Sequence, residues 1–172
     1  MNLSPSDQPA ESAWTALELP DFTDHLLNYT DAAIAARHYL QDAREALAEA
    51  FFPGKSIRPL LRKTSEFVDT VLTHLWSLHM GEPADAALIA VGGYGRGELF
   101  PQSDIDILVL TGAAPDTDTA QCLERFVTSL WDTGLQIGHS VRTLAECAAL
   151  ATEDLTVVTT IMESRYLSGE RR

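Results

Sequence analysis

Two aspartates one residue apart, Asp104 and Asp106, open an apolar run that ends at Leu110. A run of this length and composition predicts a buried β-strand, and successive side chains of a strand point to opposite faces. The two carboxylates are therefore expected on one face, with Ile105 and Ile107 in the core. Because two neighbouring carboxylates repel each other and are costly to bury, a bound cation would stabilise them. Oxygen ligands with positions left for water and phosphate are typical of Mg²⁺, so the pattern predicts a magnesium site that handles nucleotides.

A glycine-rich segment precedes this strand. The apolar run at residues 88–91 predicts a strand that ends at Gly92 and Gly93, and one or two helical turns are expected over residues 94–99. Glycines at such a turn let a phosphate approach backbone N–H groups closely, and Arg96 could add a planar cationic group. The segment lacks the Gly-Lys-Ser/Thr ending of a P-loop and the G-x-G-x-x-G spacing of a dinucleotide fingerprint.

Each feature alone has a simpler interpretation. A pair of glycines is typical of a tight turn, and an Asp-x-Asp pair is typical of a solvated strand end. Their order along the chain is strand, glycine turn, short helix and acidic strand. That order favours a combined site for a metal ion and a nucleotide.

The residues from Gly92 to Asp106 read Gly-Gly-Tyr-Gly-Arg-Gly-Glu-Leu, then Pro-x-Ser-Asp-Ile-Asp. This stretch resembles the catalytic motif of the polymerase-β-type nucleotidyltransferase superfamily and, more narrowly, of the bacterial PII uridylyltransferases. The resemblance covers the chain from about Phe51 to its end. Its further matching segments are residues 59–61, 69–76, 130–132, 138–143 and 154–165.

The resemblance implies an α/β (α+β) fold with a polymerase-β-like core, in which helices flank a small mixed sheet. It also implies Mg²⁺ as cofactor, UTP as donor, a tyrosine of the nitrogen-regulatory protein PII as acceptor, and pyrophosphate as second product. The residues placed in the site are Asp104 and Asp106 as catalytic metal ligands, and Gly92, Gly93, Arg96 and Ser103 as nucleotide-binding groups.

Two departures from the family pattern stand out. Superfamily members generally use a third carboxylate on a later strand, where this chain has Gln136, Gly138 and Ser140. Possible substitutes for that acid are Asp132, Glu153 and Glu163. The family's enzyme is also much longer, with a phosphohydrolase domain that carries a His-Asp motif and with ACT domains. This sequence contains no His-Asp pair, so we expect neither UMP removal nor a response to glutamine from it.

Two other functions fit the same residues. One is a related adenylyltransferase that modifies glutamine synthetase or a small molecule such as an aminoglycoside. The other is a non-catalytic fragment that binds nucleotide or PII without transfer, as the missing third acid suggests.

The bulk properties limit the class of protein. The chain has 172 residues, 45% of them hydrophobic, and a net charge of −13. This composition predicts a globular domain, and the acidity argues against nonspecific nucleic-acid binding. Two cysteines without a CxxC spacing fit free thiols in a reducing compartment. Without a signal peptide or a membrane-span-length apolar run, we expect a cytoplasmic protein that contacts no membrane.

The elements that position the site follow from periodicity. We expect residues 1–20 to be a flexible tail and residues 21–54 to be a helical extension of one or two helices, with a break at residues 51–54. Residues 55–172 are expected to form a nucleotidyltransferase domain that is incomplete at its C-terminus. A helix over residues 58–78 should bury one apolar stripe, and another over residues 118–131 should bury Trp131. Residues 134–142 alternate as a strand with His139 and Val141 inward, and Thr143 begins the next helix through a capping box with Glu146.

Overall fold

The computed structural model describes residues 20–51, 56–81 and 85–170. These residues form seven helices and four strands. In chain order they are α1 (Phe22–Asn28), α2 (Ala32–Ala50), α3 (Arg58–Met80), β1 (Ala86–Ala90), α4 (Gly92–Gly95), β2 (Ile105–Thr111), α5 (Thr117–Asp132), β3 (Ile137–Thr143), α6 (Leu144–Glu153), α7 (Leu155–Met162) and β4 (Arg165–Gly169). The tail predicted over residues 1–20 lies outside the described residues except for Pro20, as do residues 52–54 of the predicted helix break.

The helical extension forms two helices, one of the two arrangements that the sequence allowed. Helix α1 ends at Asn28, and Asp31 begins α2 because its carboxylate accepts hydrogen bonds from the N–H groups of Ala33 and Ile34. A side-chain cap of this kind satisfies donors that the first helical turn cannot satisfy itself. Both helices contribute side chains to the same hydrophobic core as α3 and the sheet.

Helix α3 is the longest element and confirms the predicted apolar stripe. It begins with a proline in its first turn and ends at Gly81, whose φ of +63° suits glycine. The apolar side chains of this stripe are all buried: Leu60, Leu61, Phe67, Val68, Val71, Leu72, Leu75 and Trp76. Trp76 contacts the ring of Phe126 from α5 edge-to-face, with ring centroids 5.2 Å apart.

The four strands form one mixed sheet in the order β3-β2-β1-β4. Strand β1 pairs antiparallel with β2 and β4, whereas β2 pairs parallel with β3 through the crossover helix α5. Ile105 and Ile107 of β2 are each 2% exposed, which confirms their predicted place in the core. The opposite face of the sheet contacts α6, where Cys147 packs against Val91 and Leu108. This arrangement confirms the predicted class, a small mixed sheet flanked by helices.

Three predictions about side-chain burial are wrong. Trp131 is 57% exposed and Val141 is 41% exposed, and His139 is exposed as well. For His139 and Val141 the physical reason is that β3 lies at the edge of the sheet and has one neighbouring strand, so alternation along it does not place a whole face in the core; Trp131 lies in the last turn of α5, beside this edge. The rings of Trp131 and His139 lie against each other at this edge, with centroids 6.1 Å apart.

The capping box is confirmed, since Thr143 and Glu146 exchange hydrogen bonds at the start of α6. Both cysteines are free. In the described ranges, no helix combines the length and the apolar composition that crossing a bilayer requires.

Candidate active site at the glycine turn

The glycine turn lies beside the acidic strand. Strand β1 ends at Ala90, and the N–H of Val91 donates to the carbonyl oxygen of Asp106 at 3.0 Å, so the pairing with β2 continues up to the turn. Gly92 then adopts a φ of +59°, a conformation that costs a residue with a side chain free energy. Helix α4 begins at this residue, two positions before the helix that the sequence predicts. Val91 supplies no side-chain cap, so the first N–H groups of α4 have no partner from the cap residue.

The Asp106 carboxylate lies between two glycines. A methyl group built on Gly92 would be 3.7 Å from Asp106 Oδ2, and one built on Gly138 of the neighbouring strand would overlap Oδ1. Asp104 precedes β2 and is exposed, as is Asp106, while Ile105 between them is buried. This alternation places the two aspartates on the same side of the chain, and the Asp106 carboxylate lies next to the turn.

Neither carboxylate of this pair hydrogen-bonds or forms an ion pair with another side chain in the described ranges. Two unpaired carboxylates with free oxygen atoms fit the ligand preference of Mg²⁺, which commonly takes one or two protein carboxylates and completes its shell with water and phosphate. Residues 20–51, 56–81 and 85–170 contain no group of three or more histidine, cysteine or acidic side chains arranged around a common metal position.

Arg96 is already engaged by two acids. Its Nε donates to Glu98 Oε2 at 3.1 Å, and its Nη1 donates to Glu163 Oε2 at 2.6 Å. The hydrogen bond to Glu98 and the charge of Glu163 raise the pKa of Arg96, so the guanidinium stays charged. Its Nη2 is near Gly93, 3.6 Å from where a methyl group on that glycine would lie. Arg96 is therefore close to the turn but paired, and its predicted contact with a nucleotide stays a prediction.

Ser103 lies in the turn that leads into the acidic pair. Its N–H and its hydroxyl both donate to the carbonyl oxygen of Phe100, at 3.1 and 2.9 Å. Pro101 and Gln102 form the middle of this turn, and Gln102 has a φ of +67°. That pattern is typical of a type II turn, in which the third position usually holds glycine or asparagine. The turn fixes the backbone just before Asp104, and the role of Ser103 toward a phosphate stays a prediction.

Of the three candidate substitutes for a third acid, Glu163 contacts a predicted site residue, Arg96. Its backbone also lies against the motif, because a methyl group on Gly95 would overlap the Glu163 carbonyl oxygen. Asp132 and Glu153 are exposed at the ends of α5 and α6. The carbonyl oxygen of Asp132 accepts a hydrogen bond from Arg37 of α2.

A polar cluster under the turn was missed by the sequence analysis. The Tyr94 hydroxyl donates to Asp69 Oδ1 at 2.6 Å, and Arg165 donates to both Asp69 oxygens at 2.6 and 3.0 Å. Arg165 also donates to the backbone oxygen of Tyr94 at 3.3 Å, and its guanidinium lies 5.3 Å from the centre of the Tyr94 ring. The cluster ties α4 to α3 and β4. No spacing in the sequence signals it, since its members are 25 to 96 positions apart.

This cluster has a clear electrostatic signature. Burial, reinforced by the charge of Asp69, raises the pKa of Tyr94 well above its usual range. The hydrogen bond to Asp69 raises the pKa of Arg165. The tyrosine therefore stays neutral and the arginine charged, so Asp69 has a lasting cationic partner and a lasting hydrogen-bond donor.

Comparison with known proteins gives a family match for the segment that carries this site. Residues 72–155 match the nucleotidyltransferase domain family. The chain is 50% identical over 128 residues to the bifunctional uridylyltransferase/uridylyl-removing enzyme of Pseudomonas putida strain F1, which covers 74% of this chain and 14% of the relative. The chain is also 50% identical over 136 residues to the enzyme of the same name from Azotobacter vinelandii strain DJ; the alignment covers 78% of this chain and 15% of the relative. It is 48% identical over 139 residues to the one from Pseudomonas fluorescens strain SBW25, with 80% of this chain and 15% of the relative covered.

The chain thus spans about one-seventh of the length of these relatives. The matched family segment includes the glycine turn, both aspartates and the neighbouring strand. Residues 72–155 therefore match the nucleotidyltransferase domain family, within a chain that is similar to one part of the bifunctional uridylyltransferase/uridylyl-removing enzymes.

Proposed function

We propose that this domain transfers UMP from UTP to a tyrosine of the PII protein and releases pyrophosphate, with Mg²⁺ as cofactor. The observation that carries the proposal is the place of the Asp106 carboxylate, which faces Gly92 at the glycine turn and has no partner among the described side chains. Asp104 adds a second carboxylate on the same side.

The charges around the turn favour a nucleotide that arrives with a cation. Asp104, Asp106, Glu98 and Glu163 are acidic, and Arg96 is the cation that pairs with two of them. A bare triphosphate would be repelled by this surface. We propose that Asp104 and Asp106 hold Mg²⁺. When bound, the ion would neutralise phosphate charge and lower the pKa of the attacking hydroxyl.

The protein's own contribution is position. Gly92 and Gly93 leave the backbone open to a phosphate, and the uncapped N–H groups at the start of α4 are suitable donors to it. We propose Arg96, whose Nη2 lies near Gly93, and Ser103 as further donors to the phosphates. In the transfer itself, the tyrosine oxygen bonds to the α-phosphorus, the bond to the leaving pyrophosphate breaks, and the tyrosine loses its proton. Holding these groups in line accounts for much of the rate enhancement in such reactions.

The choice of substrates depends on similarity. The relatives are named for uridylyl transfer, which supports UTP as donor. The PII acceptor follows from the resemblance of the motif and its flanking segments to the PII uridylyltransferases. A second candidate is a domain that binds nucleotide or PII without transfer. The lack of a three-acid cluster among the described residues favours it.

One labelling experiment separates these functions. The 172-residue chain is incubated with Mg²⁺, PII and either labelled UTP or labelled ATP. The proposal predicts label on PII from UTP, a loss of at least about 100-fold in Asp104→Asn and in Asp106→Asn, and no loss in Asp118→Asn. Asp118 is an exposed acid in the first turn of α5 and serves as the matched control. Preference for ATP with PII unlabelled would indicate an adenylyltransferase, and nucleotide binding without labelled product would indicate the non-catalytic domain.

A further inference from the structure

Gly138 is the residue of β3 that pairs directly with Asp106 of β2. A methyl group built at this position would overlap Asp106 Oδ1, the tightest conflict with a side chain at any described glycine. Parallel neighbours in register point their side chains to the same face of a sheet. The Asp106 carboxylate therefore occupies the volume that a side chain at position 138 would need.

Backbone conformation does not explain this glycine. Gly138 is absent from the glycines with a positive φ, whereas Gly134 at the preceding turn has a φ of +79° and no neighbour within 4 Å of a built methyl group. The two glycines therefore serve different purposes. Gly134 provides a turn conformation, and Gly138 provides space beside one carboxylate.

The kind of atom that a new methyl group would meet is also informative. At Gly95 and Gly169 the conflict is with backbone carbonyl oxygens, which the fold cannot easily move. At Gly138 it is with the end of an exposed side chain, which can rotate away. A side chain at position 138 should therefore displace the Asp106 carboxylate while leaving the fold intact.

We infer that Gly138 is a positioning residue whose missing side chain holds the Asp106 carboxylate in its orientation toward the Gly92 turn. The inference rests on the proposed function, in which Asp106 is a metal ligand. It also explains one departure from the family pattern. The β3 position nearest to Asp106 cannot carry the third acid without displacing the second, so this strand contributes space rather than a ligand.

The test is the Gly138→Ala variant of the whole chain. Metal binding and folding are measured first, without substrate, and the kinetics of UMP transfer are measured afterwards. Binding of Mn²⁺ is followed by electron paramagnetic resonance, and folding by thermal unfolding. Loss of a group that orients a metal ligand typically weakens metal binding about 10- to 100-fold. We expect an effect of this size on the dissociation constant of Mn²⁺, an unchanged unfolding temperature, and a lower kcat/KM for UTP that higher metal concentration partly restores.

Two further variants make the result specific. His139→Ala changes the next residue of the same strand, which is exposed on the opposite face, and should bind Mn²⁺ as the wild type does. Adding Gly138→Ala to Asp106→Asn should cause no further loss, because the carboxylate that it displaces is already gone. Equal Mn²⁺ binding by the wild type and Gly138→Ala would overturn this inference alone. No Mn²⁺ binding by the wild type would overturn it together with the proposed function.

Discussion

Replacing Tyr94 by phenylalanine removes one hydroxyl group from under the glycine turn. That hydroxyl donates to Asp69 at 2.6 Å from a side chain that is 1% exposed. A hydrogen bond to a charged group contributes about 1.5–3 kcal/mol to stability. The Asp69 side chain is 26% exposed and keeps both bonds from Arg165, so water can partly replace the lost donor. We therefore expect Tyr94→Phe to cost about 1.5 kcal/mol, at the low end of that range.

Urea unfolding followed by circular dichroism measures this cost. With a slope of about 1–3 kcal/mol per M, the midpoint should fall by about 0.5–1.5 M. Tyr29→Phe is the matched control, because the Tyr29 ring stacks on His38 and its hydroxyl has no hydrogen-bond partner among the described residues. A midpoint for Tyr94→Phe equal to that of the control would refute the reasoning.

Comparing the wild type with Tyr94→Phe at different pH values tests the raised pKa of Tyr94. Because the pKa of Tyr94 is raised in the folded state, the native protein keeps this proton above the ordinary value of 10.0, at which the unfolded chain loses it. Stability from this group is therefore fully present below pH 10 and falls as pH rises beyond it. The advantage of the wild type over Tyr94→Phe should shrink above pH 10, and a constant difference up to pH 11 would contradict the assignment.

Three other changes have defined outcomes. Glu163→Gln removes one of the two acids that pair with Arg96. The KM for UTP should therefore fall about two- to fivefold at low ionic strength and equal that of the wild type in high salt. An unchanged KM at low salt would count against a role for Arg96. Thr143→Ala breaks the capping box and should cost about 1 kcal/mol in urea unfolding. The bonds from the Thr143 N–H and hydroxyl lower the pKa of Glu146, so the part of this cost that comes from the lost hydroxyl bond to Glu146 should be present above pH 4.5 and shrink as pH falls, whereas the part from the lost acceptor for the Glu146 N–H should remain; no cost at pH 7 would be inconsistent with the box. Phe126→Ala empties a fully buried position between α5 and α3 and should lower the free energy of unfolding by about 3–5 kcal/mol. Trp131→Ala, at an exposed position of the same helix, is the control and should have little effect.

Local patterns predicted the elements well. The stripe of α3 and the burial of Ile105 and Ile107 follow from periodicity alone, and the capping box follows from residue types three positions apart. The order of strand, glycine turn and acidic strand placed Asp106 beside Gly92, because antiparallel neighbours joined by a short connection must meet at that end.

Features that depend on sheet order and on distant pairs were not predictable. The exposure of His139 and Val141 depends on β3 being an edge strand, which alternation within β3 cannot show. The two acids that hold Arg96 include Glu163, 67 positions away. The role of Gly138 depends on its pairing with Asp106. That register is set by how the two strands meet in the sheet and cannot be read from the sequence of either strand.

The central claim is that Asp104 and Asp106 hold a cation that carries a nucleoside triphosphate against the glycine turn. Its most direct test is the paramagnetic broadening of backbone amide signals by Mn²⁺ with UTP in a ¹⁵N-labelled chain. The account predicts that signals of Gly92, Gly93 and residues 104–106 broaden first, that those of α1 and α2 persist, and that the Asp104→Asn/Asp106→Asn double variant loses the effect. Broadening centred elsewhere, or retained in full by the double variant, would contradict the account.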